Sequence, residues 1–188
     1  FSRMVNEYGR NTWNAQLTED IDMDIYTDLF EPIGSSTAPY CGHFDGQGHR
    51  ISNLIINTGN NYTGLFGIIG NGAVIENLLL DETCSIATSG ECVALVGGAP
   101  QGGTVTMRNL GNMGNVIAGG KQAAGIFGAN SGSKAKVIIE NCFSTGAIQG
   151  SSECAAIAGW AGSNSPVVSN CWTCSEVSRH DRPDTYLV

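Results

Sequence analysis

Apolar residues recur along the chain in short segments separated by about thirty positions. In each segment a central aliphatic residue is followed by a second apolar residue and then by glycine. The four segments read Gly64-Leu65-Phe66-Gly67, Ala94-Leu95-Val96-Gly97, Gly125-Ile126-Phe127-Gly128 and Ala156-Ile157-Ala158-Gly159. A fixed spacing in this range is typical of repeat proteins, in which each repeat stacks on its neighbours. The pattern therefore predicts a stacked repeat architecture.

An asparagine with similar apolar and polar neighbours recurs with a related spacing. These asparagines are Asn53, Asn77, Asn109, Asn141 and Asn170. The residue two places before each one and the residue one place after it are both apolar, although a regular strand would point them to opposite faces. A backbone bend at the asparagine resolves this conflict. We expect the five side chains to form a ladder whose amides hydrogen-bond from one repeat to the next.

Each repeat has room for about three short strands, and it is longer and less leucine-rich than a leucine-rich repeat. The sequence therefore predicts an all-β, parallel β-helix of about five rungs, one rung being one repeat. Apolar spacing in residues 1–9 predicts a short amphipathic helix that caps the first rung. We divide the chain, as one continuous domain, into a cap helix with lead-in strands over residues 1–50, rungs over 51–178, and a tail or cap over 179–188.

Composition narrows the classes of partner. The 188 residues include 9 basic and 17 acidic side chains, and the net charge is −8. An acidic chain without a basic cluster is poorly suited to nucleic acid, which attracts basic surfaces. No apolar run reaches the roughly 18 residues of a membrane helix. We expect neither a nucleic-acid partner nor a membrane span.

Three aspartates alternate with apolar residues in a predicted strand over residues 17–25. A calcium site is one interpretation of Asp20, Asp22 and Asp24, but the turn glycine and the later glutamate of an EF-hand loop are missing. Solvated carboxylates on the outer face of the strand are the favoured interpretation. We predict no metal site and no cofactor.

The candidate catalytic groups do not form a recognisable set. Glycoside hydrolysis needs two carboxylates about 5–10 Å apart, whereas Glu76, Arg108 and Glu140 alternate in charge at aligned positions. That alternation is typical of a charge ladder on a surface. No histidine stands near a recognisable nucleophile in the sequence. We predict a protein without catalytic residues, and a polysaccharide lyase or glycoside hydrolase is the alternative.

Seven cysteines are an odd number, so at least one is left out of any set of disulfides within the chain. Cys142 and Cys171 fall in one inward column, where they could pack as thiols or form a disulfide. Cys84 and Cys92 flank a polar loop that a disulfide could close. The spacing from Cys171 to Cys174 also fits zinc, but a second pair of ligands is missing. We interpret Cys84, Cys92, Cys142 and Cys171 as core or disulfide residues.

A column two places after each asparagine is expected to point outwards. Its members are Ile55, Leu79, Gly111, Phe143 and Trp172. Phe143 and Trp172 would stack on neighbouring rungs, and exposed aromatic pairs suit contacts with sugar rings or with proteins. A cap formed by residues 186–188 could instead cover them. Together with Trp160, these two aromatic residues are the candidate interaction surface.

The chain also resembles a known family of repeat proteins. Gly64-Leu65-Phe66-Gly67, with the stretch from Phe44 to Leu54, resembles the GLUG-motif β-helix proteins. The stretch from Asn141 to Gly146 is similar to their recurrent rung sequence. The resemblance implies a right-handed parallel β-helix of the kind found as modules of large bacterial surface and secreted proteins. It supplies no catalytic set to carry over.

These observations predict a non-catalytic extracellular or cell-surface β-solenoid module with a structural or adhesive role. The module could be a subunit of a filament that associates end to end, or part of a larger surface protein with neighbours in the parent chain. Glycans are the other expected class of partner. A carbohydrate-binding or polysaccharide-cleaving β-helix is the alternative function.

Overall fold

The structure is a computed structural model that describes residues 1–24, 30–130, 135–160, 166–180 and 182–186. Within these ranges it contains one short helix and twenty strands. They are α1 (Ser2–Asn6), β1 (Ala15–Gln16), β2 (Ile21–Asp22), β3 (His43–Asp45), β4 (Arg50–Ser52), β5 (Ile55–Thr58), β6 (Phe66–Ile68), β7 (Val74–Leu80), β8 (Ser85–Thr88), β9 (Val96–Gly98), β10 (Thr104–Asn112), β11 (Asn115–Ala118), β12 (Phe127–Ala129), β13 (Lys136–Glu140), β14 (Phe143–Ser144), β15 (Ile148–Gly150), β16 (Ala158–Trp160), β17 (Val167–Ser169), β18 (Trp172–Thr173), β19 (Val177–Arg179) and β20 (Arg182–Tyr186).

Pairing that is parallel throughout, except between β19 and β20, joins these strands into three sheets. The first has ten strands, with the main order β1-β3-β7-β10-β13-β17 and with β2, β4, β14 and β18 beside them. The second has six strands in the order β5-β8-β11-β15-β19-β20, and the third has four in the order β6-β9-β12-β16. The predicted all-β, parallel solenoid of about five rungs is confirmed.

Equivalent residues of successive rungs lie directly above one another. In the first sheet Met107 pairs with Ile75 on one side and with Ile139 on the other, and all three side chains are fully buried. Leu95 and Ile126, from the glycine-bounded segments, are buried to the same degree. Each inward residue therefore packs between its equivalents on the adjacent rungs, and columns of aliphatic side chains form the core.

The first sheet bends where the asparagines occur. All five of them have a left-handed backbone, with φ between 52° and 56°: Asn53, Asn77, Asn109, Asn141 and Asn170. Asparagine adopts this conformation more readily than most residues. The bend at Asn77 turns the apolar residues on both sides, Ile75 and Leu78, into the core.

Helix α1 covers the N-terminal end of the stack. Its Val5 side chain is fully buried. The Asn6 side chain holds the helix in place, because its Nδ2 donates to the carbonyl of Pro32 (3.0 Å) and its Oδ1 accepts from the backbone N–H of Gly34 (2.9 Å). The predicted cap helix is thus present, over a shorter range than residues 1–9.

Parallel stacking already includes the lead-in strands of residues 1–50. Strand β1 pairs with β3, and β3 pairs with β7. Strand β2 pairs with β4, which in turn pairs with β7. Of the predicted strand over 17–25, only β2 takes part in these pairings, and Ile25 lies outside the described residues.

The C-terminal end of the stack differs from the rest. Strand β20 runs antiparallel to β19, the one antiparallel pairing among the described strands. In the first sheet, Val168 of β17 is 45% exposed although the repeat pattern predicts an inward position. Its strand pairs only with β13 in the described chain, so Val168 is covered from one side only.

Candidate functional site

Two aromatic side chains stack on the outer face of the first sheet. Phe143 of β14 pairs in register with Trp172 of β18. Their ring centroids are 4.8 Å apart and the ring planes differ by 6°. The distance matches the spacing of adjacent strands, so register alone brings the rings together. Trp172 is 57% exposed, and Phe143 is partly exposed.

A groove lies directly beside this aromatic pair. Gly111 of β10 pairs with Phe143 on one side and with Leu79 on the other. A Cβ atom on Gly111 would lie 2.5 Å from Cζ of Phe143 and 2.7 Å from Cδ1 of Leu79. Both side chains therefore lean across the space that the glycine leaves free. Together they form part of the floor of a groove with a volume of about 590 Å³. The groove is lined by Gln47, Gly48, Asn77, Leu78, Leu79, Asn109, Gly111 and Phe143.

The structure does not bring the other predicted surface residues to this groove. Arg50, rather than Ile55, pairs with Leu79 at the lower end of the column. Ile55 begins β5 in the second sheet, and Trp160 ends β16 in the third sheet. Of the predicted cover over residues 186–188, Tyr186 pairs with Val177 in the second sheet, and Leu187 and Val188 lie outside the described residues.

Asparagine amides border the groove. Asn141 Nδ2 donates to Asn109 Oδ1 (3.2 Å), and Asn109 Nδ2 donates to Asn77 Oδ1 (2.7 Å). The run ends on a carboxylate, since Asn77 Nδ2 donates to Asp45 Oδ1 (2.9 Å). An asparagine amide offers two N–H donors and two oxygen lone pairs. Asn77 and Asn109 each commit one of each to the ladder.

The hydrogen-bonded ladder described above contains three of the five predicted asparagines; the other two are Asn53 and Asn170. Asn53 follows β4, which pairs with the far end of β7, so it belongs to a different column. Its Nδ2 donates to Asp22 Oδ1 (2.9 Å). Asn170 occupies the ladder position of the last rung, as the register between Glu140 and Ser169 places it, and its backbone has the same left-handed φ.

Glu76 is the centre of a charged network next to the ladder. Its side chain is only 8% exposed, and it accepts hydrogen bonds from Arg108 and from His43 Nε2 (2.5 Å). The Arg108 guanidinium and then His43 lower the pKa of Glu76 against the opposing effect of burial. In the aligned set Glu76, Arg108 and Glu140, the structure records an ion pair between the first two.

The same network includes a possible metal ligand set. Ligand atoms of His43, Asp45 and Glu76 lie within 4.8 Å of one another. However, Asp45 already accepts hydrogen bonds from Asn77 and Gln47, and Glu76 is neutralised by Arg108. The guanidinium also repels a cation. These contacts account for the cluster as a network that holds adjacent rungs together.

Other carboxylates on this face are also tied to neighbouring strands. Asp20 accepts from the backbone of Arg50 and from His49, and Asp22 accepts from Asn53. These bonds lower the pKa of both aspartates.

Asp81 lies on the same face and is buried. Burial acts to raise its pKa, but hydrogen bonds from Ser52 and Thr83 lower it on balance. These acids therefore serve as structural acceptors.

Acid should destabilise the protein for this reason. A carboxyl group whose pKa is lower in the folded than in the unfolded state stabilises the fold at neutral pH, and this contribution is lost as the pH falls through the folded-state value. Urea unfolding, followed by circular dichroism, should show constant stability from pH 7 to about pH 5 and a decrease below about pH 4. Glu76→Gln should reduce that decrease, whereas Glu82→Gln, at an exposed position, should leave it unchanged. Stability that rises towards pH 3 would contradict the assignment.

The seven cysteines are free thiols in the structure. Cys84, Cys92 and Cys142 are buried, and burial raises the pKa of their thiols to about 11, 12 and 12. Cys142 and Cys171 occupy adjacent rungs, and the backbone N–H of Cys142 donates to Cys171 Sγ (3.4 Å). Cys84 and Cys92 do not share a contact among those described; Cys92 Sγ donates to Gln122 Oε1 (3.0 Å).

Sequence reasoning missed some residues around the site. Gln47, which lines the groove, has a left-handed backbone (φ 54°). It lies two residues after Asp45, which accepts the last hydrogen bond of the asparagine ladder. Its only signal was the turn-forming sequence Asp45-Gly46-Gln47-Gly48. A second left-handed column at Tyr62, Cys92, Gln122 and Glu153 also went unnoticed, because its members share no residue type.

Comparison with known proteins places the chain beside two long relatives. A provisionally described Gly-rich membrane protein of Evansella cellulosilytica is 35% identical over 117 residues, which are 60% of this chain and 13% of that protein. Halomucin of Haloquadratum walsbyi is 36% identical over 124 residues, which are 60% of this chain and 1% of that protein. The chain therefore spans a small part of the relatives it matches. No family model matches it.

A solved structure shares the fold. It is a Bacteroides ovatus protein provisionally described as an immunoglobulin A1 protease, with a TM-score of 0.61 and 18% identity, covering 94% of this chain and 73% of that chain. At this identity the likeness concerns the fold alone. Within the described residues, none of the helical structure is long and apolar enough to cross a bilayer.

Proposed function

We propose that the chain is a non-catalytic β-solenoid module of a longer surface protein, where it acts as a structural and adhesive element. The observation that carries the proposal is the stacked pair Phe143 and Trp172, exposed on in-register strands. Aromatic side chains that a rigid backbone holds in position lose little conformational freedom when they bind a partner. Exposed apolar surface of this kind is typical of interaction sites.

The relatives support a surface location. They are named as a membrane protein and as halomucin, and the matching segment is a small part of each. The resemblance of Gly64-Leu65-Phe66-Gly67 to the GLUG-motif modules agrees with this setting. We therefore propose that the module lies outside the cell or at its surface, next to further parts of a parent chain.

The state of the acidic groups supports a role without catalysis. A general acid for glycoside hydrolysis must stay protonated until it reacts, so its pKa is raised. Hydrogen-bond donors instead lower the pKa of Asp45 and Glu76. Asp81, despite its burial, has a lowered pKa as well. Such groups are suited to holding the outer columns in register.

Bead attachment under flow tests the adhesive role. Beads coated with the chain should be retained on at least one of three surfaces, namely bacterial envelopes, matrix protein or polysaccharide. Trp172→Ala should reduce retention severalfold, because it removes the most exposed ring of the pair. Trp160→Ala removes an exposed tryptophan from another sheet and is the matched control.

Two outcomes would overturn the proposal. Retention no better than that of uncoated beads would remove the adhesive role. New reducing ends or unsaturated products in polysaccharides incubated with the chain would show that the module is an enzyme.

A further inference from the structure

We infer that the groove lined by Leu79, Gly111 and Phe143 is a binding site for a neutral glycan. This inference rests on the proposed adhesive function and names its partner class. The groove combines an apolar floor with an amide rim, and these two features meet on the same outward face.

The apolar floor is suited to the carbon face of a sugar ring. In the column, Trp172 lies on one side of Phe143 and Gly111 lies on the other. Trp172 therefore covers one face of the Phe143 ring and fixes its orientation, while the other face lies over Gly111 and next to Leu79. The edge of the Phe143 ring and the Leu79 side chain together form the apolar floor of the groove. The apolar C–H groups of a pyranose pack against such an aromatic surface, and its hydroxyl groups remain available for polar contacts.

The rim is suited to those hydroxyl groups. After the ladder bonds between Asn77 and Asn109 are counted, each amide retains one N–H and one oxygen lone pair. A hydroxyl group donates and accepts at once, so an amide that offers both functions is a fitting partner. Gln47 stands on the same rim.

The length and the charge of the groove further restrict the class of ligand that it can bind. The lining residues come from four successive rungs, those of Gln47, Leu79, Gly111 and Phe143, so the groove extends over about 14 Å at the usual strand spacing of about 4.8 Å. That length fits a short oligosaccharide better than a single sugar. The rim residues are amides, and the chain has a net charge of −8, which repels polyanions. A neutral hexopyranose chain is therefore the class of ligand that we assign.

Isothermal titration of the 188-residue chain tests the assignment. The probes are hexasaccharides of glucose, mannose, galactose and N-acetylglucosamine, with hexagalacturonate as the anionic counter-probe. At least one neutral probe should bind, with an affinity that is insensitive to salt because no ionic contact is involved. Phe143→Ala should weaken binding about tenfold, in line with the loss of an aromatic contact.

Three further variants separate a local site from a general loss of structure. Asn109→Ala should weaken binding severalfold, because it removes rim donors and acceptors. Gly111→Ala should also weaken it, because the new Cβ displaces the Phe143 ring. Trp160→Ala should bind like the wild type. Circular dichroism spectra must agree among the variants, and Phe143→Tyr, which retains the ring, covers the case in which Phe143→Ala fails to fold.

The possible failures are distinguishable. If no neutral probe binds but Trp172→Ala still reduces bead retention, the adhesive function stands and the glycan assignment is wrong. Retention on matrix protein alone would identify a protein partner and would likewise overturn it. If a neutral probe binds equally well to Phe143→Ala and the wild type, the groove is not the site.

Discussion

Gly97→Ala should destabilise the protein by about 3 kcal/mol or more, since an added methyl group in a packed interior forces the backbone to move. A Cβ on Gly97 would lie 2.5 Å from the carbonyl carbon of Tyr62 and 2.8 Å from the oxygen of Gly67. Both are backbone atoms held by the hydrogen bonds of the adjacent rung, so neither can give way as a flexible side chain can. Urea unfolding should show the loss as a lower midpoint.

Gly59→Ala is the matched control. A Cβ on Gly59 meets only the Ser89 hydroxyl oxygen, at 3.4 Å, so the substitution should change the free energy of unfolding by about 0.5 kcal/mol or less. Equal unfolding midpoints for the two variants would show that the rungs do not approach each other as closely at Gly97 as the structure indicates.

Ile126→Ala should cost about 2–5 kcal/mol of folding free energy, because it leaves a cavity in a column that neighbouring rungs cannot fill. Ile126 is fully buried. Its carbonyl accepts from Val96 and its N–H donates to Ile157, so its backbone is fixed from both sides. Ile126→Val, which deletes one methylene group, should cost about 0.5–1.5 kcal/mol.

Ile117→Ala provides the comparison for this second substitution. Ile117 also lies on a middle rung, in β11, but it is 38% exposed. Its replacement by alanine should therefore reduce the free energy of unfolding much less than the replacement of Ile126 does. Unfolding should be followed by both circular dichroism and tryptophan fluorescence, because repeat proteins can unfold in parts. A cost at Ile117 that equals the cost at Ile126 would be inconsistent with an inward column at position 126.

The sequence was sufficient to predict the architecture because the columns repeat. Apolar positions such as Ile75, Met107 and Ile139 recur with the same neighbours, and parallel strands place such equivalents directly above one another. The same alignment put Phe143 beside Trp172, since ring stacking here needs only equal register. In a solenoid, residues that lie one repeat apart in the sequence are therefore neighbours on adjacent rungs.

The misplacement of Asn53 shows where such reasoning stops. Its neighbours Ile51 and Leu54 fit the asparagine pattern, yet Asn53 lies one strand further along its rung than Asn77 does. On that rung Gly46 holds the ladder position, and Asp45 supplies the oxygen that an asparagine supplies elsewhere. A short sequence motif does not identify the strand of the rung on which it lies. Because Asp45 takes the place of an asparagine as hydrogen-bond acceptor, the correct alignment of this rung is not visible in the sequence.

The groove and the Glu76 network could not be predicted from the sequence, for a different reason. The importance of Gly111 depends on how far Phe143 and Leu79 lean over it, and this depends on side-chain rotamers. His43 contacts Glu76 diagonally on the neighbouring strand, and no repeated residue type marks its position. Contacts between residues of different types do not recur at the repeat spacing, so a search for periodic residues does not find them.

The direction of the ladders determines how the module responds to tension. Hydrogen bonds such as that from Val96 to Ile126 (2.9 Å) join one rung to the next, whereas the covalent backbone runs around each rung. A pull along the stacking direction therefore loads the hydrogen bonds between rungs, and the first interface that ruptures releases a rung. Each rung released adds up to roughly 100 Å of extended chain, so the fold absorbs mechanical work in steps while the remaining rungs stay intact.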